Sequence, residues 1–214
     1  MNGLVLHGYW RSSASYRVRI ALNLKGVEYR QVTHDLKTGA QRNADYRARA
    51  PHGLVPAIEH DGEVLIESPA ILEWIETRWP EPQLLPASPE DAAAVRAMAA
   101  LIACEIHPLG NLRVLDWLRG ELGAVEPQVT QWVAHWIGEG FGALETLIAR
   151  HGRAFAFGDA PTLVDVYLVP QVYNALRFGL DLDAFPRICA TNARMLAIPA
   201  VARAHPDLQP DANP

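Results

Sequence analysis

The feature that most constrains the fold of this chain is a proline-rich segment at residues 79–89, which separates two stretches with different hydrophobic patterns. Before it, apolar runs of strand length alternate with helix-length patterns, whereas every long segment after it has helical spacing. Prolines concentrated between two such patterns are typical of a domain boundary. The sequence therefore predicts a small α/β domain over 1–80, a linker over 81–89 and an all-helical domain over 90–214.

Turn and cap signals fix the order of elements on each side of this boundary. A glycine stops the first helix, and Asp61-Gly62 lies between two short strand patterns, as in a hairpin. The predicted elements of the α/β part are a strand at 4–7, a helix ending before Gly26, a strand at 27–32, a hairpin at 57–66 and a helix at 70–78. The predicted helical segments of the second part are 89–120, 127–150, 162–178 and 186–197.

The overall charge disfavours one large class of partners. The chain has 19 Lys and Arg against 24 Asp and Glu, a formal net charge of −5, and a sequence pI near 5.9. Binding to a nucleic-acid backbone needs a basic field that this composition lacks, so no nucleic-acid partner is expected. The net charge does not exclude a small cationic pocket inside an acidic protein.

Cysteine spacing and hydropathy bear on the compartment. Cys104 and Cys189 are far apart and in no CxxC arrangement, which predicts two buried thiols and neither a disulfide framework nor a metal site. The N-terminus lacks the basic and apolar regions of a signal peptide, and no segment has about 20 uninterrupted apolar residues. We therefore expect a soluble, cytoplasmic protein without a membrane partner.

Three short segments carry residues suited to binding a charged ligand. Ser12-Ser-Ala-Ser15 lies at a strand-to-helix junction, where free N–H groups and a hydroxyl can hold an anion. Val55-Pro56 enters a strand, and a cis bond there, although rare, would leave the Val55 backbone free to pair with an extended ligand. Glu67-Ser68 begins a helix and can hold an ammonium and a carboxylate. Taken alone, the first and third segments are better explained by plain helix capping.

These segments, taken in order and followed by a helical domain, resemble the glutathione transferases, whose first domain is thioredoxin-like and binds glutathione. The run Arg11-Ser-Ser-Ala-Ser-Tyr-Arg-Val-Arg-Ile-Ala-Leu22 is similar to the zeta-class signature, as are Leu168-Val-Pro-Gln-Val172 and Asn174-Ala-Leu-Arg-Phe178. The zeta class includes maleylacetoacetate isomerases and bacterial maleylpyruvate isomerases. The resemblance covers essentially the whole chain and implies a thioredoxin-like domain followed by an all-helical domain.

The resemblance also implies roles for individual residues. Ser12 corresponds to the serine that activates the glutathione thiol, whereas the cysteine of the signature is replaced by Ala14, a departure shared with maleylpyruvate isomerases. The implied catalytic set is Arg11, Ser12, Ser13 and Arg177; the substrate-binding set is His107, Asn111 and Arg113; the glutathione-binding set is Gln41, Val55, Glu67 and Ser68. Thr162-Leu-Val-Asp165 resembles the capping-box motif of the superfamily's helical domain, which implies a role in folding. No metal is implied.

Other interpretations of the charged residues are open at this point. Arg113 can be a solvated surface residue, and His107 a core histidine. Arg17 and Arg19 are expected on a helix surface, paired with carboxylates. Arg177 lies between Leu176 and Phe178 near the end of an apolar helix, where a buried guanidinium would need an anionic partner such as a substrate carboxylate.

The expected function is glutathione-dependent cis–trans isomerisation of a small acidic keto acid, maleylpyruvate or maleylacetoacetate, by a homodimer. One alternative is a zeta-type transferase that conjugates glutathione to α-halo acids or other electrophiles. A second is a non-catalytic binding protein with the same fold, against which the retained Ser12, Val55-Pro56 and Glu67-Ser68 argue.

Overall fold

The computed structural model describes residues 3–213 of the chain. Two compact units are present: one extends to Leu84 and resumes at Ala197, and the other is Leu85–Leu196. The division at Leu84 falls within the segment 81–89. The residues from Ala197 onward group with the first unit, which differs from the predicted helical domain over 90–214.

The first unit contains a four-stranded sheet in the order β2-β1-β3-β4. Its strands are β1 (Val5–Gly8), β2 (Arg30–Thr33), β3 (Ala57–His60) and β4 (Glu63–Ile66). β1 is parallel to β2 and antiparallel to β3, and β3 is antiparallel to β4. This mixed sheet with helices confirms the predicted thioredoxin-like arrangement.

The register brings three chain segments to one end of this sheet. Ala57, the first residue of β3, pairs with His7 near the end of β1 and with Ile66, the last residue of β4. The segments that follow β1, precede β3 and follow β4 therefore leave the sheet on the same side. We call this the Gly8 end of the sheet, and the opposite end the hairpin end.

Helices account for most of the remaining described residues. In chain order they are α1 (Ser13–Leu24), α2 (Ala44–Arg47), α3 (Ser68–Arg78), α4 (Pro89–Ala100), α5 (Leu112–Gly120), α6 (Glu126–His151), α7 (Leu163–Arg177), α8 (Pro186–Leu196) and α9 (Pro199–Arg203). In the helical unit α7 packs against α4 and α8, and α6 packs against α8. The sequence prediction is therefore confirmed in the type and order of the long elements.

Helix α1 ends as predicted, but the expectation for its arginines is wrong. Gly26 has a φ of 67°, and the N–H of Val27 donates to the Leu22 carbonyl at 2.9 Å, which closes the helix with a left-handed glycine. Arg17 and Arg19 are 1% and 0% exposed. They are buried because α1 packs against α3 and also against α9, which returns from the far end of the chain.

Backbone carbonyls stabilise the buried Arg19 guanidinium. Its Nη2 donates to the Trp10 carbonyl at 2.8 Å, and its Nε donates to the Ala204 carbonyl at 3.1 Å. A buried cation needs such acceptors because desolvation without hydrogen bonds is costly. Arg19 thus joins the start of α1 to the C-terminal segment of the same unit.

The predicted helix over 89–120 is interrupted. α4 continues into a π-helical stretch, Leu101–Ile106, and then into a 3₁₀ turn, His107–Gly110, before α5 begins after Asn111. A Cβ on Gly140 of α6 would lie 2.2 Å from Cγ1 of Ile106, so the Ile106 side chain occupies the space that a larger residue at Gly140 would need. Wide helical turns of this kind occur often at functional sites.

The capping box predicted for the third helical segment is confirmed at α7. The buried Asp165 carboxylate accepts hydrogen bonds from the Thr162 N–H at 2.7 Å and the Thr162 hydroxyl at 2.9 Å. Its other oxygen accepts from the Ala156 N–H at 2.9 Å. Asp165 therefore fixes both the start of α7 and the loop before it.

Cysteine exposure differs from the expectation. Cys104 is exposed and Cys189 is half-buried, so the two thiols are not the buried pair that the sequence predicted. Burial still raises the pKa of the Cys189 thiol. One described helical stretch, Pro89–Gly120, is long and apolar enough on average to cross a membrane, but core helices of soluble proteins pass the same test.

Candidate active site

Ser12 lies at the Gly8 end of the sheet, immediately before α1, and its role as a helix cap is confirmed. Its Oγ accepts a hydrogen bond from the Ser15 N–H at 3.2 Å. This bond uses a lone pair and leaves the hydroxyl proton without an acceptor among residues 3–213. Capping and donation to a ligand are therefore compatible, and the helix terminus adds positive potential at the same point.

The neighbours of Ser12 differ in accessibility. Ser13 and Ala14 begin α1 and are 7% and 8% exposed, so both side chains face the interior. Arg11 is half-buried, and its guanidinium carbon lies 5.5 Å from the centre of the Trp10 ring. This cation–π contact orients Arg11 without neutralising its charge.

The segment before β3 offers an open backbone edge. The Val55–Pro56 peptide bond is cis. Within the described chain, neither the N–H nor the carbonyl of Val55 has a hydrogen-bond partner. An extended ligand can therefore pair with Val55 as an antiparallel strand would.

Gln41 adjoins this segment. A Cβ on Gly53 would lie 3.2 Å from the Gln41 carbonyl oxygen, which shows how closely the two backbones approach. The Gln41 side chain is only 4% exposed, and its Oε1 has no hydrogen-bond partner in the part of the chain that the structure describes. A buried amide oxygen of this kind is costly unless a ligand donates to it.

Glu67 and Ser68 complete this end of the sheet. Glu67 has a φ of 68°, which is strained for a residue with a side chain, and its exposed carboxylate lies 3.5 Å from His52 Nε2. Ser68 is 4% exposed and its Oγ accepts from Arg17 Nη1 at 3.4 Å. The sequence interpretation missed Arg17, whose buried cation favours binding of a carboxylate near Ser68.

The helical unit carries the remaining candidates, and three of them are close in sequence. His107 is half-buried, and Asn111 caps α5 by accepting from the Arg113 N–H at 3.2 Å. The Arg113 guanidinium is exposed and has no acidic partner among the described residues. An arginine in the first turn of a helix is unfavourable with respect to the helix dipole, so the position gains stability when an anion binds.

Arg177 ends α7 and is exposed, so the interpretation that its guanidinium is buried is wrong: the helix emerges into solvent at its last turn. Its Nη1 donates to Asn174 Oδ1 at 3.1 Å, and its guanidinium carbon lies 5.3 Å from the Phe178 ring. A Cβ on Gly110 would lie 4.0 Å from Asn174 Nδ2, so α7 and the turn before Asn111 are adjacent. Asn174 lies within the segment 174–178 that resembles the zeta class, but the sequence interpretation gave it no role, although its i, i+3 spacing to Arg177 is a usable signal.

An open groove lies at the hairpin end of the sheet, and none of the candidate residues of the first unit lines it. It has a volume of about 700 Å³ and is lined by Val5, Tyr29, Arg30, His60 and neighbouring residues. No group of three or more His, Cys, Asp or Glu side chains suited to a metal occurs within residues 3–213. The candidate chemistry of the first unit is therefore confined to the Gly8 end.

Comparison with known proteins places these residues in context. A family model described as "Glutathione S-transferase, N-terminal domain" matches residues 11–78. The maleylacetoacetate isomerase of Pseudomonas aeruginosa is 50% identical over 96% of this chain and 97% of its own length. A holo structure of a zeta-class bacterial maleylpyruvate isomerase has a TM-score of 0.96 and 44% identity, covering 98% of this chain and 100% of that chain. The maleylacetoacetate isomerase of Anaeromyxobacter dehalogenans, solved with glutathione in its active site, has a TM-score of 0.89 and 43% identity, covering 99% and 98%.

Proposed function

Because the chain belongs to the zeta-class glutathione transferase family, which includes the maleylacetoacetate and maleylpyruvate isomerases, we infer that it is a glutathione-dependent cis–trans isomerase of a maleyl keto acid. The observation that carries the inference is the gathering of Ser12, Val55 and Ser68 at one end of the sheet, beside a buried amide oxygen that lacks a donor. These groups fit a peptide-like cofactor with a thiol, and glutathione is the cofactor.

Four residues hold glutathione in this proposal. The open backbone of Val55 pairs with the peptide groups of the cofactor, and Gln41 Oε1 accepts from one of its N–H groups. Ser68, with the Arg17 cation beside it, binds a carboxylate, and the exposed Glu67 carboxylate binds the ammonium.

Bound glutathione supplies a thiolate that adds to an alkene carbon conjugated with the keto group and is expelled after the carbon–carbon bond has rotated, so the cofactor is not consumed. The Ser12 hydroxyl donates a hydrogen bond to the sulfur and thereby favours the thiolate over the thiol. A free thiol with a pKa of about 8.5 is only about 3% ionised at pH 7. Lowering that pKa by about 2 units requires about 2.7 kcal/mol. One hydrogen bond to a charged sulfur (about 1.5–3 kcal/mol) and the helix terminus (about 0.3–1 kcal/mol) suffice.

Arginines bind the substrate in this proposal. Arg11, Arg113 and Arg177 bind the carboxylate and oxo groups and stabilise the negative charge that develops on the keto oxygen. His107 and Asn111 lie in the turn that adjoins Asn174, the residue that orients Arg177, and complete the substrate contacts. Ser13 supports the start of α1 next to Ser12.

Maleylpyruvate is the preferred substrate in this proposal, and maleylacetoacetate the second. Ala14 supports the preference because bacterial maleylpyruvate isomerases share the absence of the signature cysteine. A reaction that cleaves an aromatic ring would supply either substrate. We further propose a cytoplasmic, soluble homodimer.

The test is the glutathione-dependent loss of keto-acid absorbance with each substrate. We expect turnover of both, a higher kcat/KM for maleylpyruvate and no loss of free thiol. Consumption of thiol with α-halo acids, without isomerisation, would favour the conjugating transferase. Glutathione binding with no turnover of either kind would favour the non-catalytic protein.

Arg177→Ala tests the substrate contacts, with Arg153→Ala as the matched control. Arg153 is an exposed arginine of the same unit whose Nη1 lies 3.4 Å from Asp159. Loss of a hydrogen bond to a charged group predicts a fall in kcat/KM of about 10- to 150-fold for Arg177→Ala. An unchanged kcat/KM would remove Arg177 from the proposed site.

A further inference from the structure

Tyr46 lies directly beneath the open backbone of Val55. It belongs to α2 and its side chain is buried, with 2% of the residue exposed. Its hydroxyl donates a hydrogen bond to the Leu54 carbonyl oxygen at 2.7 Å. Burial raises the pKa of Tyr46, so the hydroxyl keeps its proton and remains a donor at neutral pH.

This hydrogen bond fixes more than the Leu54 carbonyl. The carbonyl of Leu54 and the N–H of Val55 belong to one planar, trans peptide unit, so the two groups point in opposite directions. Because Tyr46 fixes the Leu54 carbonyl on one side of this peptide unit, it also fixes the direction of the Val55 N–H on the other side. The Val55 N–H has no hydrogen-bond partner among the described residues.

Packing holds the Tyr46 ring in place. The ring belongs to a cluster with Ala50 and Ala57, against which Val55 and Ile66 also pack. The cluster that holds Tyr46 therefore packs against the segment before β3 and against the last residue of β4. The hydroxyl cannot move without disturbing this cluster.

Two histidines also pack close to the Tyr46 ring. The His34 ring centre lies 4.0 Å from that of Tyr46, and His34 Nε2 is 3.0 Å from His7 Nδ1. His7 Nε2 in turn lies 3.2 Å from a Glu59 carboxylate oxygen. Burial lowers the pKa of His34 to about 4, so its ring is neutral against Tyr46 at neutral pH.

We propose that Tyr46 is a positioning residue for glutathione, which holds the Leu54–Val55 peptide unit so that the Val55 N–H meets a carbonyl of the cofactor. The proposal rests on the function proposed above and adds a residue that touches neither the thiol nor the keto acid. Tyr46 acts on cofactor affinity and leaves the chemical step alone.

The test compares Tyr46→Phe with Tyr29→Phe. The first keeps the ring and its packing and removes only the hydroxyl; the second removes a hydroxyl at the hairpin end of the sheet. Calorimetric titration with glutathione and steady-state kinetics with varied glutathione and keto acid are the measurements. For Tyr46→Phe we expect Kd and KM for glutathione to rise about 3- to 10-fold, as for loss of one hydrogen bond. We expect kcat at saturating glutathione and KM for the keto acid to stay within about twofold. Tyr29→Phe should match the unsubstituted protein.

An unchanged glutathione Kd in Tyr46→Phe would overturn the proposal. This holds even if the variant unfolds at a lower urea concentration, because lower stability alone would show only a role in folding. A fall in kcat with no change in Kd would also overturn it, because the residue would then act on chemistry. Amide hydrogen exchange in the unsubstituted protein provides a check that needs no folded variant: glutathione should slow exchange at Val55, and unchanged exchange there would refute the role. If the unsubstituted protein neither binds nor uses glutathione, the proposed function itself fails.

Discussion

Replacing Ser12 by Ala separates the two roles that its hydroxyl combines. The lone pair accepts from the Ser15 N–H at 3.2 Å and caps α1. The proton, which has no acceptor in the described chain, is available to the sulfur of glutathione. The substitution removes both, so it should change two independent quantities: the free energy of unfolding and the pKa of the bound thiol.

The expected magnitudes follow from the two bonds. Loss of a serine cap costs about 1 kcal/mol of stability. Loss of a hydrogen bond to a thiolate costs about 1.5–3 kcal/mol, and one pKa unit corresponds to about 1.36 kcal/mol, so the thiol pKa should rise by about 1–2 units. The rise favours the thiol over the thiolate, and the isomerisation rate at neutral pH should fall by about 3- to 25-fold, in proportion to the thiolate fraction.

Ser88→Ala is the matched control. Ser88 belongs to the other unit and caps α4 with its Oγ, which accepts from the Asp91 N–H at 3.3 Å. Its hydroxyl also donates to Glu90 Oε2 at 3.1 Å, on the exposed surface. Ultraviolet absorbance of the thiolate against pH gives the thiol pKa, and urea unfolding gives stability. Both variants should lose similar stability, but only Ser12→Ala should raise the thiol pKa. If both variants lose stability and neither changes the thiol pKa, Ser12 is a cap and nothing more.

Three further outcomes concern stability and are measured by urea unfolding. Asp165→Asn replaces a carboxylate that accepts at both oxygens by an amide that accepts at only one, and should lower the free energy of unfolding by about 2–4 kcal/mol. A loss no larger than the roughly 0.5 kcal/mol typical of a surface substitution would contradict the role of the buried carboxylate. Gly140→Ala should lower the free energy of unfolding by about 1–3 kcal/mol because its Cβ meets Ile106. Gly142→Ala, where a Cβ meets nothing within 4 Å, should raise it by about 0.5–1 kcal/mol. Equal effects of the two substitutions would refute the close packing of Ile106 against Gly140. His34, with its pKa lowered to about 4, favours the fold when neutral, so its contribution is complete above about pH 6.5 and is lost as the pH falls toward 4. His34→Gln should flatten the pH dependence in that window, and an unaltered profile would exclude His34 as its source.

Much of the fold could be predicted from signals that are local in the sequence. Gly26, the Asp61-Gly62 turn and the Thr162–Asp165 capping box each mark an element boundary through bonds that span a few residues, and the structure contains all of them. Their success is physical: caps and turns are decided by backbone geometry close in sequence. The type and order of elements followed from these signals and the hydrophobic period.

Contacts that are distant in sequence could not be predicted in the same way. Arg19 is buried because the C-terminal segment returns to cover α1, and the N–H of Trp10 donates to Asp211 at 3.0 Å. No local sequence pattern indicates that the C-terminal segment returns to α1. Tyr46 was missed for a similar reason: it is a large aromatic residue within the polar stretch 34–52, and its partner His34 precedes it by 12 positions. An isolated aromatic residue in a polar segment is the signal that could have indicated its burial.

The net charge of −5 is informative only when the partners of each arginine are known. Arg49, Arg119 and Arg187 each lie within 3.3 Å of a carboxylate, so their charges are already matched by the protein. Arg113 has no such partner among residues 3–213, and it stands in the first turn of a helix, where a cation is disfavoured. A dianionic substrate gains most from arginines whose charge the protein leaves unmatched, because no internal ion pair must be broken on binding. An acidic protein can therefore bind an acidic substrate: the arginines that lack internal partners, and not the sum of charges, decide which anions it holds.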